Sequence, residues 1–493
     1  MVASKTSILS SKVHSGEPVK LAFHYNTQAI TKFINSLFIK VLSQNDMNYL
    51  QGMIETIIRE MVINAVKANS KRVYFKKMNL DINNAFQYQQ GMENFKAYMI
   101  SNMNSMPVEL KESGYKVELL LKKSDQGFKI IVKNNAGLLP FEEERIKLRI
   151  DKAREYTDFT DIYMDITDDQ EGEGLGIPLT ILFLKNSGFS DDSFSIKSSG
   201  DVTESVLDIP LKTRPAEIMS IIQKQIVSEV NELPTFPEHI IQLQTICREK
   251  DVAINRIADK ISLDPSLTAS VMKLANSAGF ITSRHIDTIK DAVTIIGLKN
   301  LNALLVVTAT RKIMDDRFSS FRDVWNHCNK AAFYARNIAL EKKLKDAAEK
   351  VFLASLLHDL GKIVLLSANP ELTEHISEVT VKRQMRTSTV LEEITMGISH
   401  SAIGKMIAEK WNFPEYISEA IEFHHCPLNA CAEHKAVVYI TYLANVMCLL
   451  EERKFDFMYM EDDVLKFFGI PDEDEFNRIH EKLKGLYVSQ PVF

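Results

Sequence analysis

Apolar residues recur at helical spacing from about Ala29 to Ala68. Within that stretch Leu50, Met53, Ile54, Ile57, Ile58, Met61, Val62 and Ala65 fall on one wide face. Arg72-Val73-Tyr74-Phe75 then reads as a short strand. Two hairpins follow. Lys116–Leu121 and Phe128–Val132 are strand-like on either side of a Ser124–Gly127 turn, and Ser193–Lys197 and Ser205–Ile209 flank Ser199-Gly200. After Pro210 and Pro215 the strand signal ends. Ala216–Glu232 reads as a connecting helix, and from Leu233 onward helix follows helix, broken at Pro237, Gly279, Gly297, Pro370 and Pro414. Residues 1–20, polar and rich in Ser and Lys, are expected to be a flexible tail. The chain is therefore multidomain: a mixed α+β N-terminal part with a largely antiparallel sheet, then an all-α bundle.

Length supports that division, since 493 residues exceed one hydrophobic core. Formal net charge is -6, which argues against bulk electrostatic binding to nucleic acid or anionic membrane. The cysteines, Cys247, Cys328, Cys426, Cys431 and Cys448, are few and odd in number, so no disulfide framework is expected. The start of the sequence lacks the apolar core of a signal peptide. No apolar stretch reads as long enough to cross a bilayer, which takes about 20 residues. A cytoplasmic location without membrane insertion is the expectation.

Two constellations carry chemistry. In the first, Glu60 and Asn64 are four apart on one helix face, so a carboxylate that can polarise water stands beside an amide oxygen that can hold Mg²⁺. Further on, Gly172, Gly174 and Gly176 precede an apolar helix. Closely spaced glycines let backbone N–H groups approach a phosphate at a helix N-terminus. Glu60–Ala65 resembles the N box of the GHKL ATPases, and Gly172–Ile177 resembles their second glycine box. Gly188, Ser198, Gly200 and Thr203 fit the closing strand-turn-strand. The resemblance spans about residues 21–213. It implies an α+β two-layer sandwich that takes ATP with Mg²⁺, with Glu60 as base and Asn64, Asn134, Thr203 and the glycines around the nucleotide. The first glycine box departs from the family pattern. Asn134 replaces the adenine-binding Asp, and Ala136 and Leu138 replace glycines, which makes the unit a degenerate member.

In the second constellation, His327, His358-Asp359, His400 and His424-His425 lie in or at the ends of helices. Imidazoles and a carboxylate converging in a bundle suit a divalent metal, which would lower the pKa of a bound water. These residues resemble the HD phosphohydrolase superfamily and, more specifically, its HDOD output-domain branch. The text runs from Leu233-Pro234-Thr235-Phe236-Pro237 through Ile289–Gly297 and the His-Asp doublet to Trp411–Pro414 and His424-His425. The resemblance implies a regulatory module at 233–430, preceded by a linker helix at 214–232 and followed by a helical extension at 431–493. The metal-ligand set would be His327, His358, Asp359, His400, His424 and His425. Asn445 stands where the superfamily has a final Asp. Cys426, Cys431 and His434 lack the paired Cys-x-x-Cys spacing of four-ligand zinc sites and are not read as one.

Three functions are open to this sequence. One is a signal-transduction regulator working through protein partners, with a nucleotide and a homodimer also in view. A second is a metal-dependent phosphohydrolase acting on a nucleotide or phosphoester through His358 and Asp359. The third is an anti-sigma-type protein kinase using Glu60.

Overall fold

The computed structural model describes residues 2–488 except 46, 48, 49, 103, 157, 158, 160, 161, 163–175, 212–220, 250–252, 276–285, 319, 320, 383, 384 and 386. The chain divides into two compact units, Met1–Ile218 and Met219–Phe493.

The first unit is built on a five-stranded sheet: β1 (Val19–Phe23), β2 (Val117–Lys123), β3 (Gly127–Asn134), β4 (Phe194–Ser199) and β5 (Val202–Pro210). Their order is β1-β2-β3-β5-β4, and every neighbouring pair is antiparallel. Both expected hairpins form. Alternate residues Val117, Leu119, Leu121, Phe128, Ile130 and Val132 are buried, so one face of the sheet is a core face. Helix α1 (Gln51–Lys77) packs on it through Ile54, Ile57, Ile58, Met61, Val62 and Ala65, each buried. Two further helices complete what positions this site: α2 (Pro140–Glu155) and α3 (Gly176–Asn186).

Two expectations fail in this unit. Arg72–Phe75 is not a strand but the last turns of α1. Its β-branched and aromatic residues suit a strand locally, but tertiary packing decides otherwise. Tyr74 and Phe75 are buried against Phe95, while Lys71 and Arg72 reach Glu142 on α2. Residues 1–20 are not a loose tail. Val2–His14 is helical and leads into β1, with Thr6, Ser10 and Val13 fully or almost fully buried and Lys40 Nζ donating to Thr6 Oγ1 at 3.0 Å.

The second unit is helical throughout its described residues. Of the expected linker helix at 214–232, residues 214–220 lie outside the described residues, and helix α4 (Ile221–Glu232) is tied to this unit. Arg317 holds Glu229 and Glu232 at 2.8 and 2.9 Å, and Lys410 Nζ donates to the Asn231 carbonyl at 2.7 Å. Pro237 and Pro414 each cap a helix start, and Gly297 breaks a helix pair at φ 77°. The described residues of the expected extension at 431–493 pack into this unit. Val437–Cys448 and Phe476, Ile479 and Leu483 share one core with Ala331, Tyr334, Ile338 and Val351. Residues 347–368 are apolar enough, by length and composition, to cross a membrane, contrary to expectation, yet 72% of their most apolar window is buried within this unit. The helices that build the site are α5 (Arg322–Glu341), α6 (Lys345–Leu357), α7 (Leu360–Ala368), α8 (Thr389–Met396), α9 (His400–Lys410), α10 (Glu415–Phe423) and α11 (Lys435–Glu451).

Candidate metal centre

His358 caps the C-terminus of α6, and Asp359 is the N-cap of α7. The break between these two helices sets imidazole and carboxylate side by side in the interior, where His358 is fully buried and Asp359 nearly so. Four more imidazoles close around that carboxylate. Asp359 Oδ1 lies 3.3 Å from His400 Nε2 and 3.4 Å from His424 Nε2. Asp359 Oδ2 lies 3.6 Å from His358 Nε2 and 3.7 Å from His327 Nε2. His425 Nε2 is 3.1 Å from His400 Nε2. The donors thus form two groups, His327-His358-Asp359 and Asp359-His400-His424-His425, sharing the carboxylate of Asp359.

The outward nitrogens are tied down. Nδ1 of His358 donates to the Ser355 carbonyl at 2.6 Å, and Nδ1 of His424 to the Ile421 carbonyl at 2.7 Å. Glu392 Oε2 accepts from both the backbone N–H and Nδ1 of His400, at 2.9 and 2.7 Å. Glu452 Oε1 faces Nδ1 of His327 at 3.0 Å. For His358 and His424, fixing Nδ1–H fixes the tautomer, so Nε2 is left as a lone-pair donor aimed inward, the arrangement metal-ligating histidines use.

Electrostatics follow from this packing. Burial drives the His358 imidazole down to about 3, only partly opposed by Asp359. His424 is lowered and His425 well lowered, first by burial. Burial would lower His400 too, but Glu392 and Asp359 outweigh it and raise it to about 9. Burial would raise the Asp359 carboxyl, but Lys362, whose Nζ is 2.9 Å from Oδ2, and the imidazoles hold it well below the carboxylate range.

These residues fit a divalent cation. His400 and His424 bring Nε2 atoms within 3.3 Å of each other, each with Nδ1 committed elsewhere. Two lone pairs facing at that distance repel unless a proton or a cation lies between them. His358 Nε2 and Asp359 Oδ1 are also buried without a well-aligned hydrogen-bond partner among the described residues, which is costly unless something else satisfies them. Imidazole and carboxylate together suit zinc, iron or manganese more than calcium or magnesium.

Asn445, on α11, presents Oδ1 to His327 Nε2 at 3.0 Å, so it reaches the rim of the cluster without a charge. All seven residues expected at this site therefore meet. The sequence reading missed Glu392 and Glu452. Neither belongs to a short motif; each is brought to its histidine by helix packing alone. Cys328, beside His327, is buried with its thiol pushed well up, and so is inert.

In the first unit, a Cβ on Gly176, at the start of α3, would collide with the Glu60 carboxylate, so those two meet. Asn64, one turn on from Glu60, is exposed. Asn134 pairs with Thr203 across β3 and β5, and both reach the Ala136 carbonyl, at 3.2 and 2.8 Å. Asn134 also donates to Asn69 on α1 at 3.1 Å. Gly172 and Gly174 lie outside the described residues.

Residues 233–427 match the model of the HDOD domain. An uncharacterised Treponema pallidum protein is 25% identical over 473 residues, 96% of this chain and 92% of its own length. Among solved structures, an HDOD domain protein of unknown function from Geobacter sulfurreducens is 25% identical, covering 54% of this chain and 94% of that one, with a TM-score of 0.44. A Shewanella amazonensis protein provisionally named a phosphohydrolase is 23% identical, covering 53% of this chain and 93% of its own, with a TM-score of 0.42.

Proposed function

With residues 233–427 an HDOD domain, we propose that the chain is a signal-transduction regulator whose helical unit holds a divalent metal at the His-Asp centre. The metal would order a surface for protein partners rather than drive turnover. The observation that supports it is the convergence of imidazoles on the buried Asp359 carboxylate, with Nδ1 of His358, His400 and His424 each held by an acceptor behind it. Asp359 would hold the ion, with His400, His424 and His425 on one side of the carboxylate and His327 and His358 on the other. A bound metal supplies a Lewis acid and a water of lowered pKa. The chain's own residues temper that chemistry. Asn445 brings no anion to the open side, and Lys362 engages Asp359 Oδ2.

The test is metal content of the purified protein with phosphodiesterase turnover on bis-p-nitrophenyl phosphate. Stoichiometric metal lost in His358→Ala, with no turnover, is the expected result. Metal-dependent turnover abolished by Asp359→Ala would replace this reading with the phosphohydrolase one. A metal-free protein that cannot be loaded would end both.

A second reading concerns the first unit alone: a degenerate GHKL-like domain that binds a nucleotide weakly. Two juxtapositions favour it, Glu60 against Gly176 and Asn134 beside Thr203. Titration calorimetry with Mg-ATP tests it. Binding weakened by Asn64→Ala is expected, and absence of binding would remove the reading.

A further inference from the structure

A second cluster of metal donors lies beside the helix that His424 caps, outside the centre described above. Glu419 projects from α10, Cys431 follows the Pro427–Asn429 turn, and His434 is the N-cap of α11. Sequence spacing offers only Cys-x-x-His; the third donor, Glu419, comes from a different element and becomes visible only in the fold. Cys431 Sγ is 3.5 Å from His434 Nδ1, and Glu419 Oε1 is 3.2 Å from that same nitrogen. All three donor atoms lie within 4.8 Å of one another.

The distances suit a coordination shell as well as an ion pair. In a hydrogen-bonded relay the thiol and the carboxylate would take opposite ring nitrogens. Here both crowd Nδ1, while Nε2 is 3.9 Å from Glu433. For tetrahedral zinc with bonds of about 2.0 Å to N and O and 2.3 Å to S, ligand atoms sit about 3.3 Å (N to O) and 3.5 Å (N to S) apart. The observed spacings match both edges. The floor is prepared as well. Glu419 and His434 side chains are only 14% and 12% exposed, and Glu419 Oε2 accepts the Cys431 backbone N–H at 3.1 Å, which orients the carboxylate and the loop together. Cys431 itself is exposed, so the thiol stands at the rim and a fourth position faces solvent.

We propose that Glu419, Cys431 and His434 form a second metal site, taking a borderline-soft divalent cation such as zinc, with one coordination position open. Binding would displace the thiol proton of Cys431 to solvent and leave its thiolate, an imidazole and a carboxylate as ligands. The ion would staple α10 to the loop that enters α11.

Cobalt(II) is the probe, because thiolate ligation gives a near-ultraviolet charge-transfer band that a nitrogen-and-carboxylate centre cannot give. The full-length reduced protein is titrated with cobalt(II), with circular dichroism confirming the fold of each variant. The band is expected in the wild type and in Asp359→Ala, and is expected to vanish in Cys431→Ser. Glu419→Gln and His434→Ala should each weaken cobalt binding at this site by at least the roughly 10–100-fold that loss of an outer-shell partner costs. No band in the wild type, or a band that survives Cys431→Ser, overturns the site. Affinity unchanged in both Glu419→Gln and His434→Ala would reduce it to a lone surface thiol and overturn it equally.

Discussion

Glu392 shows how much of a metal centre can reside in a residue that touches no metal. Its carboxylate is buried, and burial alone would raise it. The charge and hydrogen bonds of His400 instead hold it at about 2. It therefore stays an anion at neutral pH and grips His400 at two points. Glu392→Gln keeps the shape but can face His400 Nδ1 with an amide, which removes the fixed tautomer. Metal affinity should fall about 10–100-fold, as for other outer-shell losses, while the helical content stays constant. Dialysis against a competing chelator with metal analysis measures it, and unchanged affinity would show that Glu392 is only a packing residue. The contrast with His358 explains what the sequence made legible here. Histidines and an Asp in apolar helices announce themselves by chemistry, whereas Glu392 and Glu452 look like any helix-surface carboxylates until packing assigns them a partner.

At the scale of elements, the centre depends on two helices touching almost backbone to backbone. A Cβ on Gly361, in the first turn of α7, would fall inside contact distance of the His400 carbonyl and the Gly404 N–H on α9. Only glycine lets α7 and α9 approach so closely, and that approach sets Asp359 against His400. Gly361→Ala forces backbone to yield, at about 1–3 kcal/mol for overpacking. With Tm moving about 2–4 °C per kcal/mol in domains of 150–250 residues, a fall of several degrees is expected, together with weaker metal binding because the two ligand helices separate. Scanning calorimetry with and without metal reads both effects; an unshifted Tm would mean the helices slide apart without cost. Helices and hairpins such as these were readable from periodicity, because Ile54, Ile58 and Ala65 or Leu119 and Leu121 repeat with the period of their element. Arg72–Phe75 was not, because four residues of strand-like character cannot outweigh the buried contacts that extend α1 through them. Helix Val2–His14 was hidden for the opposite reason. Its polar sequence has few apolar residues to betray a face, and small buried groups such as Thr6 and Ser10 do the packing.

On the scale of the whole molecule, the two units offer separate readouts, since both tryptophans, Trp325 and Trp411, lie in the second. Tryptophan fluorescence therefore follows the helical unit, while far-ultraviolet circular dichroism follows both. That separation allows a test of the charge cluster in the first unit, where the loop from β3 is anchored to α1. Glu142 meets Lys71 Nζ at 2.6 Å and Arg72 Nη2 at 2.8 Å, and Arg72 also donates to the Gly137 carbonyl at 2.6 Å. Burial would raise the Glu142 carboxyl, but Arg72 and Lys71 outweigh it and lower it from 4.5 to about 2. A carboxyl depressed in the folded state stabilises above its unfolded value and loses that contribution as pH falls through its folded value. The cluster should therefore contribute fully above about pH 4.5 and vanish towards pH 2, a swing of roughly 3 kcal/mol at 1.36 kcal/mol per unit. Glu142→Gln isolates it from the other carboxylates. At pH 7 the variant leaves Lys71 and Arg72 without their carboxylate and should unfold at lower urea by circular dichroism, with the tryptophan transition unmoved. As the pH drops to 2 the wild type protonates Glu142, and the two proteins should converge. A gap between them that is constant with pH would show that Glu142 acts through packing and not through its charge.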